Sequence, residues 1–140
     1  MTGTELNPTV TFQAGAAVGK HRFVKLTTST AAILQARVIQ AAAAGDDAVG
    51  ISCEEVTAAE VTAGQLAIAC VLPGCKTWLM SGAAIDTSAG VVPLTSDATG
   101  RGVAVAAAGD RVLAYAMESA AAADVRIQVL FLKGGSHRDA

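Results

Sequence analysis

Short segments that alternate apolar and polar residues, or that are rich in branched apolar residues, follow one another along most of the chain. Val10-Thr11-Phe12-Gln13 alternates as a strand with one face on a core does. Gln65–Leu72 and Val125–Leu132 are rich in branched apolar residues, so we expect them to be the most buried strands. Glycine-containing turns separate such segments. The sequence therefore predicts about nine or ten short strands, which is the pattern of an all-β barrel or sandwich.

Four further segments have the same character. They are short, rich in apolar residues and bounded by turns, and Phe23 is expected to point inward. The predicted strands are His21–Leu26, Ala48–Glu54, Thr77–Met80 and Val112–Glu118.

Residues 30–44 fit two structures. Thr30 is a suitable cap for an Ala-rich helix that ends before Gly45, whereas Ala36–Ala41 fits a strand. The strand is favoured because the corresponding segment later in the chain, Gly102–Val105, is too short for a long helix. Two Ala-rich links, Val56–Gly64 and Ser119–Asp124, fit either loops or short helices.

The five residues Ala42–Asp46 recur without change as Ala106–Asp110. The flanks follow in the same order, since Phe23–Leu26 aligns with Val91–Leu94, and Val49–Glu55 aligns with Val112–Glu118. This order predicts a tandem duplication with units at about 15–74 and 82–134. In each Gly-Asp turn we expect a glycine with positive φ and an aspartate that accepts backbone amides.

The length of 140 residues fits one domain with a single core. Residues 10–134 are predicted to form one β domain in which the two units share that core. Met1–Thr9 is polar and is expected to be a flexible arm, which is either a frayed terminus or a segment that orders along a neighbouring subunit. Residues 135–140 form a polar tail.

The composition indicates a surface that other proteins cover. Hydrophobic residues make up 52% of the chain and charged residues 16%, and the mean hydropathy is +0.47, which is apolar for a soluble monomer. No apolar run approaches the roughly 20 residues of a membrane-spanning helix. The net charge of −2 and the scattered Lys and Arg residues argue against nucleic-acid binding. Without a visible signal peptide, cytosolic synthesis is expected.

Residues able to carry out chemistry are few. His21 and His137 belong to no recognisable catalytic constellation, and no metal-binding spacing is present. We therefore expect no enzymatic activity, no cofactor and no metal. Cys70 and Cys75 flank a Pro-Gly turn across which two thiols can meet, but small buried thiols are favoured over a disulfide.

The succession of small-residue and turn motifs resembles the head decoration, or capsid cement, proteins of tailed bacteriophages. The resemblance extends from Val10 to Leu132 and rests on these motifs: Phe12–Val18, Arg22–Leu26, Ala44–Ile51, Ser81–Ile85 and Ala108–Ala120. It implies a β-rich subunit, trimeric in many relatives, that binds the major capsid protein on the outside of the assembled head. There it would stabilise the shell against the pressure of packaged DNA. Departures lie in the loops 56–64 and 119–124.

The surface that such a protein would use is predicted at its N-terminal region and at its single tryptophan. The candidate contacts with the capsid or with sister subunits are Asn7, Pro8, Val10, Phe12 and Trp78. The alternative function is a ligand- or carbohydrate-binding β-module on a virion or cell surface. A sugar-stacking platform normally draws on more aromatic residues than this chain offers.

Overall fold

The structure is a computed structural model, and it describes residues 8–27 and 37–132 together with the backbone of 137–138. Five antiparallel strands form a first sheet in the order β1-β5-β4-β2-β3. One short helix, α1 (Ala58–Thr62), precedes β5. The strands of this sheet are β1 (Thr9–Gln13), β2 (Phe23–Thr27), β3 (Arg37–Gln40), β4 (Gly50–Ser52) and β5 (Ala67–Val71).

A second five-stranded sheet has the order β6-β11-β10-β7-β8, and β12 pairs with β9 in a separate two-stranded ladder. The fold class predicted from the sequence, an all-β barrel or sandwich, is confirmed. The remaining strands are β6 (Lys76–Met80), β7 (Val92–Ser96), β8 (Gly102–Ala104), β9 (Arg111–Val112), β10 (Ala114–Ala116), β11 (Arg126–Phe131) and β12 (His137–Arg138).

The two large sheets have the same connectivity. The positions of β1, β2, β3, β4 and β5 in the first sheet are occupied by β6, β7, β8, β10 and β11 in the second. A parallel bridge joins Ala14 to Val38, and a matching bridge joins Ser81 to Gly102. Each bridge brings the first strand of its sheet to the last, so that both sheets curl around their inner faces.

Equivalent acidic side chains make equivalent hydrogen bonds in the two halves. The Oδ2 atom of Asp46 accepts from the amides of Ala42 and Ala43 at 2.7 and 3.1 Å. Asp110 Oδ2 accepts from the amides of two alanines in the same relative positions, at 3.1 and 3.0 Å. The expected role of aspartate in both turns is therefore confirmed. Gly109 has a φ of +93° as expected, but Gly45 lies outside the positive-φ region.

Strand pairing corrects the alignment of the two halves within the strands. The carboxylates of Glu54 and Glu118 each accept a backbone amide of the closing strand of their own half, both at 2.8 Å. Glu118 therefore corresponds to Glu54 and not to Glu55. Likewise Val24, which pairs with Gly50, occupies the place of Leu94, which pairs with Ala114. A sequence alignment can shift by one or two positions among similar apolar residues, because the register of a strand is set by its pairing and by which face is buried.

Most predicted strands are present with shifted ends. The strand expected at Ala36–Ala41 appears as β3, while residues 30–36 of the ambiguous segment lie outside the described residues. The closing strands β5 and β11 alternate between buried and less buried residues, and the short β4 is the strand that is buried throughout. The prediction that the closing strands are the most buried was therefore wrong. The apolar run of β11 belongs to a sheet with one face still open, where Leu130 is 38% exposed.

Three local predictions need correction. Thr9 pairs with Val71 in β1 and so does not belong to an arm. His21 lies in a turn with a φ of +57°, and β2 begins only at Phe23, which is buried as expected. The backbone of His137, placed in a polar tail, pairs with Val112.

The two Ala-rich links differ from each other. In 56–64 the chain forms α1, because Thr57 and Glu60 make a reciprocal capping box at its start. Residues 119–124 contain turns and no helix. All three cysteines are free thiols, so Cys70 and Cys75 do not pair, and Cys70 is buried on β5.

The larger of two core clusters is built by both halves. It combines Phe23 and Ile51 of the first sheet with second-half residues such as Leu94 and Phe131. A smaller cluster, which includes Val24 and other residues before Val71, fills the inner face of the first sheet alone. The first sheet is therefore covered on both faces at its centre, where Phe23 and Ile51 lie in one cluster and Val24 in the other.

The turn at 97–101 fastens the halves together. The Gly100 carbonyl accepts the Phe23 amide at 2.8 Å, across the junction. Asp97 organises the turn by accepting the amides of Thr99 and Arg101 at 2.8 and 2.9 Å and the Arg101 guanidinium at 2.9 Å. Burial raises the pKa of the Asp97 carboxyl, but these hydrogen bonds outweigh it and leave the pKa below its ordinary value.

The position of Gly100 allows a matched test of this junction. Gly100 has a φ of +79°, and a Cβ there would approach the Phe23 carbonyl oxygen to 2.9 Å, whereas Gly64 has a similar φ of +83° with nothing within 4 Å. We expect Gly64→Ala to cost about 1 kcal/mol for the left-handed backbone. Gly100→Ala should cost about 2 kcal/mol more because the two halves are forced apart. Urea unfolding of both variants measures the difference, and equal losses would contradict this role of the turn.

Candidate interaction surfaces

The first strand presents an exposed edge. β1 borders the first sheet and, among the described residues, is paired along its length with β5. The Pro8 carbonyl accepts the Leu72 amide, and the Ala14 amide donates to the Leu66 carbonyl. Because hydrogen-bonded positions alternate along an antiparallel strand, the backbone groups of Thr9, Thr11 and Gln13 point away from β5. Such an edge is suited to pairing with another strand.

Side chains of β1 have two different environments. Pro8 is exposed and Val10 is 37% exposed. Phe12 is half-buried and packs against the core cluster inside the first sheet. Phe12 also lines an open groove of about 700 Å³, whose far side is formed by Glu60 of α1 and by the segment 64–67. Asn7, the remaining candidate contact on this side, lies outside the described residues.

Trp78 occupies the corresponding edge of the second sheet. It lies on β6, at the position that Thr11 has on β1, as the pairings of Trp78 with Gln128 and of Thr11 with Ala69 show. Trp78 is half-buried, and the Arg126 guanidinium carbon lies 4.3 Å from its ring centroid. A cation in this position stabilises the ring orientation. Val10 and Trp78 are thus brought to equivalent edges of different sheets, and not to one site.

The outer face of β7, β10 and β11 carries apolar residues in two rows. In the first row Tyr115 lies between Pro93 and Leu130, its pairing partners on the neighbouring strands. In the second row the Met117 amide donates to the Gln128 carbonyl, and Gln128 pairs with Trp78. Leu130 is 38% exposed, Met117 48% and Val91 61%. We call the surface formed by Trp78, Val91, Pro93, Tyr115, Met117 and Leu130 the outer apolar face.

Sequence reasoning named only Trp78 of this face as a contact residue. Leu130 stands between Val129 and Phe131, and an unbroken apolar run conceals which residues point outward. The alternation of β11 could be read only from its burial, which places Ile127, Val129 and Phe131 inside and Leu130 outside. The sequence indicated this face only through the apolar composition of the chain, which predicted that other proteins cover part of the surface.

The titratable groups that could carry out chemistry lie apart. Among the residues that the structure describes, no three His, Cys, Asp or Glu side chains are grouped as metal ligands would be. Burial, followed by a small repulsion from Cys53 and Glu54, raises the pKa of the Cys70 thiol to about 12, so this thiol is a poor nucleophile. Over the described parts of the chain, no helix has the length and apolar character needed to cross a bilayer.

A comparison with solved structures shows a likeness in fold. The chain is similar in fold to a bacteriophage head protein. This is the N base of the head fiber gp8.5 of bacteriophage phi29, with a TM-score of 0.66 and 17% identity over 90% of this chain and 94% of the other. At this identity the likeness establishes the fold. Neither a family model nor a curated protein sequence matches the chain, so membership of the decoration family stays a prediction.

The environment of His21 predicts a pH effect on stability. Burial, together with the positive charges of Lys20 and Arg126, lowers the pKa of His21 below its ordinary value. The unfolded chain therefore takes up the proton first, so His21 lowers stability as the pH falls from about 6.5 through the folded-state pKa. Asn tolerates the positive φ at this position. We expect His21→Asn to lose less melting temperature than the wild type between about pH 7.5 and about pH 5.5; an equal or greater loss would contradict it.

Proposed function

We propose that this protein is a structural component of a phage virion, a decoration or cement protein on the outside of the assembled head. The observation that carries the proposal is the fold likeness to the base of a phage head fiber over 90% of the chain. The motif resemblance to head decoration proteins supports the same assignment. The proposed partners are the major capsid protein and further copies of this chain, with a trimer favoured by the resemblance.

The surface of the molecule supports a role in holding other proteins. The outer apolar face and the exposed edge of β1 are the kinds of surface that protein partners cover. Several modest contacts made at once on a lattice act with a high effective concentration. A protein that binds only the assembled lattice stabilises it by mass action. No reaction is required for such stabilisation.

The proposal includes a tandem duplication. It is supported by the identical strand order of the two sheets and by the matched hydrogen bonds of Asp46 with Asp110 and of Glu54 with Glu118. With the pairings as guide, the repeating unit begins at β1 and again at β6, earlier in each half than the sequence match indicates.

A second candidate function is favoured by the same likeness. The neighbour is the base of a head fiber, so this chain can instead be a base that attaches another virion component to the head. The two functions differ in their effect on the shell. A cement protein strengthens the head, whereas a base adds a component without strengthening it.

Heads that lack this protein provide the direct test. Purified protein is mixed with undecorated, DNA-filled heads, occupancy is imaged by electron microscopy, and the temperature of DNA release is measured. A cement protein binds saturably at repeated lattice positions and raises the release temperature. Binding without such a rise supports the attachment function. A protein that ignores empty and filled heads alike contradicts the virion assignment.

The predicted arm can be tested on the same heads. Because Thr9 belongs to β1, the deletion should end at Asn7. If residues 1–7 clamp a neighbour, their removal should weaken head binding by roughly tenfold, or about 1.4 kcal/mol, with little change in melting temperature. Removal of Asp139 and Ala140 is the control. Unchanged occupancy of the deletion variant would reject the clamp.

A further inference from the structure

The equivalence of the two halves identifies what should cover the outer apolar face. In the first sheet, Ile51 lies between its pairing partners Phe23 and Val71. In the second sheet, Tyr115 lies in the same way between Pro93 and Leu130. The two rows cross corresponding strands and project from corresponding faces. They are therefore the same surface of the same supersecondary unit.

Within the chain, the first of these rows is covered by the second half. Phe23 and Ile51 are fully buried and Val71 is 3% exposed. The Phe23 ring lies 6.1 Å from the Phe131 ring, and its amide donates to Gly100. The cover is thus a surface of the second unit and not a loop of the first.

The second row has no such cover within the described residues. Pro93 is exposed, Tyr115 is half-buried and Leu130 is 38% exposed. Beside it Val91 is 61% and Met117 48% exposed. A contiguous apolar surface of this kind marks a site of protein–protein contact. The cationic groups at its edge are Lys76 and Arg126, on β6 and β11.

We propose that the outer apolar face binds a second copy of this chain, which covers the second sheet as the second half covers the first. This inference deepens the self-association in the proposed function and rests on it. The occupant follows from the molecule itself, because the equivalent face is buried by a unit of the same fold. A capsid subunit offers no such precedent in the structure.

The geometry of the contact between halves determines the type of assembly. The outer face of the first unit meets a different surface of the second unit, so the contact is heterologous. Repetition of a heterologous contact between copies produces a ring when the rotation closes and a filament when it does not. We therefore expect a head-to-tail oligomer in solution, formed without any capsid lattice.

Charge substitutions on the face test this inference. The double variant Val91→Lys, Met117→Lys places two cations on residues of the face that are 61% and 48% exposed. The control is Leu26→Lys, which changes an apolar residue that is 51% exposed on β2 of the first sheet. Sedimentation velocity is measured over a range of protein concentrations without heads. The wild type and the control should form the same oligomer, and the double variant should dissociate with a constant at least roughly a hundredfold higher.

Two results would overturn the proposal. One is a wild-type protein that stays monomeric at high micromolar concentration, and the other is a double variant that assembles like the wild type. Circular dichroism shows whether the variants fold. If the double variant does not fold, Leu130→Gln tests the same face with a smaller change. Unaltered assembly of that folded variant would also overturn the proposal.

The outcome separates this inference from the virion assignment. A monomer that binds heads through this face would reject the inference, since the occupant would then be the capsid, and would leave the virion assignment standing. An oligomer that depends on the face but ignores heads would support the inference and remove the virion assignment.

Discussion

The first sheet of this protein has apolar residues on both faces, and one face must be covered by something other than its own turns. The second half of the chain supplies that cover, with the Phe131 ring beside Phe23 and the turn at 97–101 above it. The larger core cluster exists because of this contact. A unit of about 60 residues buries only about 60% of the surface that its unfolded chain exposes and is marginally stable alone, so the union of the halves stabilises the fold.

The same contact accounts for the surface that remains. The second half covers the outer face of the first sheet, whereas the outer face of the second sheet stays exposed. The exposed row of Pro93, Tyr115 and Leu130 is therefore equivalent to a row that is buried in the first sheet. The apolar residues of the exposed outer face contribute to the composition of the chain, which is apolar for a soluble monomer. A molecule built in this way is suited to association with other proteins.

Several of the charged residues serve the backbone. Asp46, Asp97 and Asp110 accept amides in turns, while Glu54 and Glu118 each accept an amide of the closing strand in their own half. Each of these carboxylates supplies a hydrogen-bond acceptor for backbone amides in its turn or on the neighbouring strand. These acidic side chains lie in turns or just beyond strand ends, so none of them occupies the middle of a sheet face.

The sequence by itself determined the fold class, the position of most strands and the roles of the two repeated aspartates, because these depend on local alternation and on turn chemistry. The sequence did not determine strand register. Val24 and Val92 are the same residue type and align in the sequence, but the strand pairings show that the residue equivalent to Val24 is Leu94. Thr9 and His21 were misassigned for a similar reason, because their states depend on distant partners such as Val71. Only the tertiary structure decided that Phe23 is covered and Leu130 is not, since burial depends on which half packs against which face.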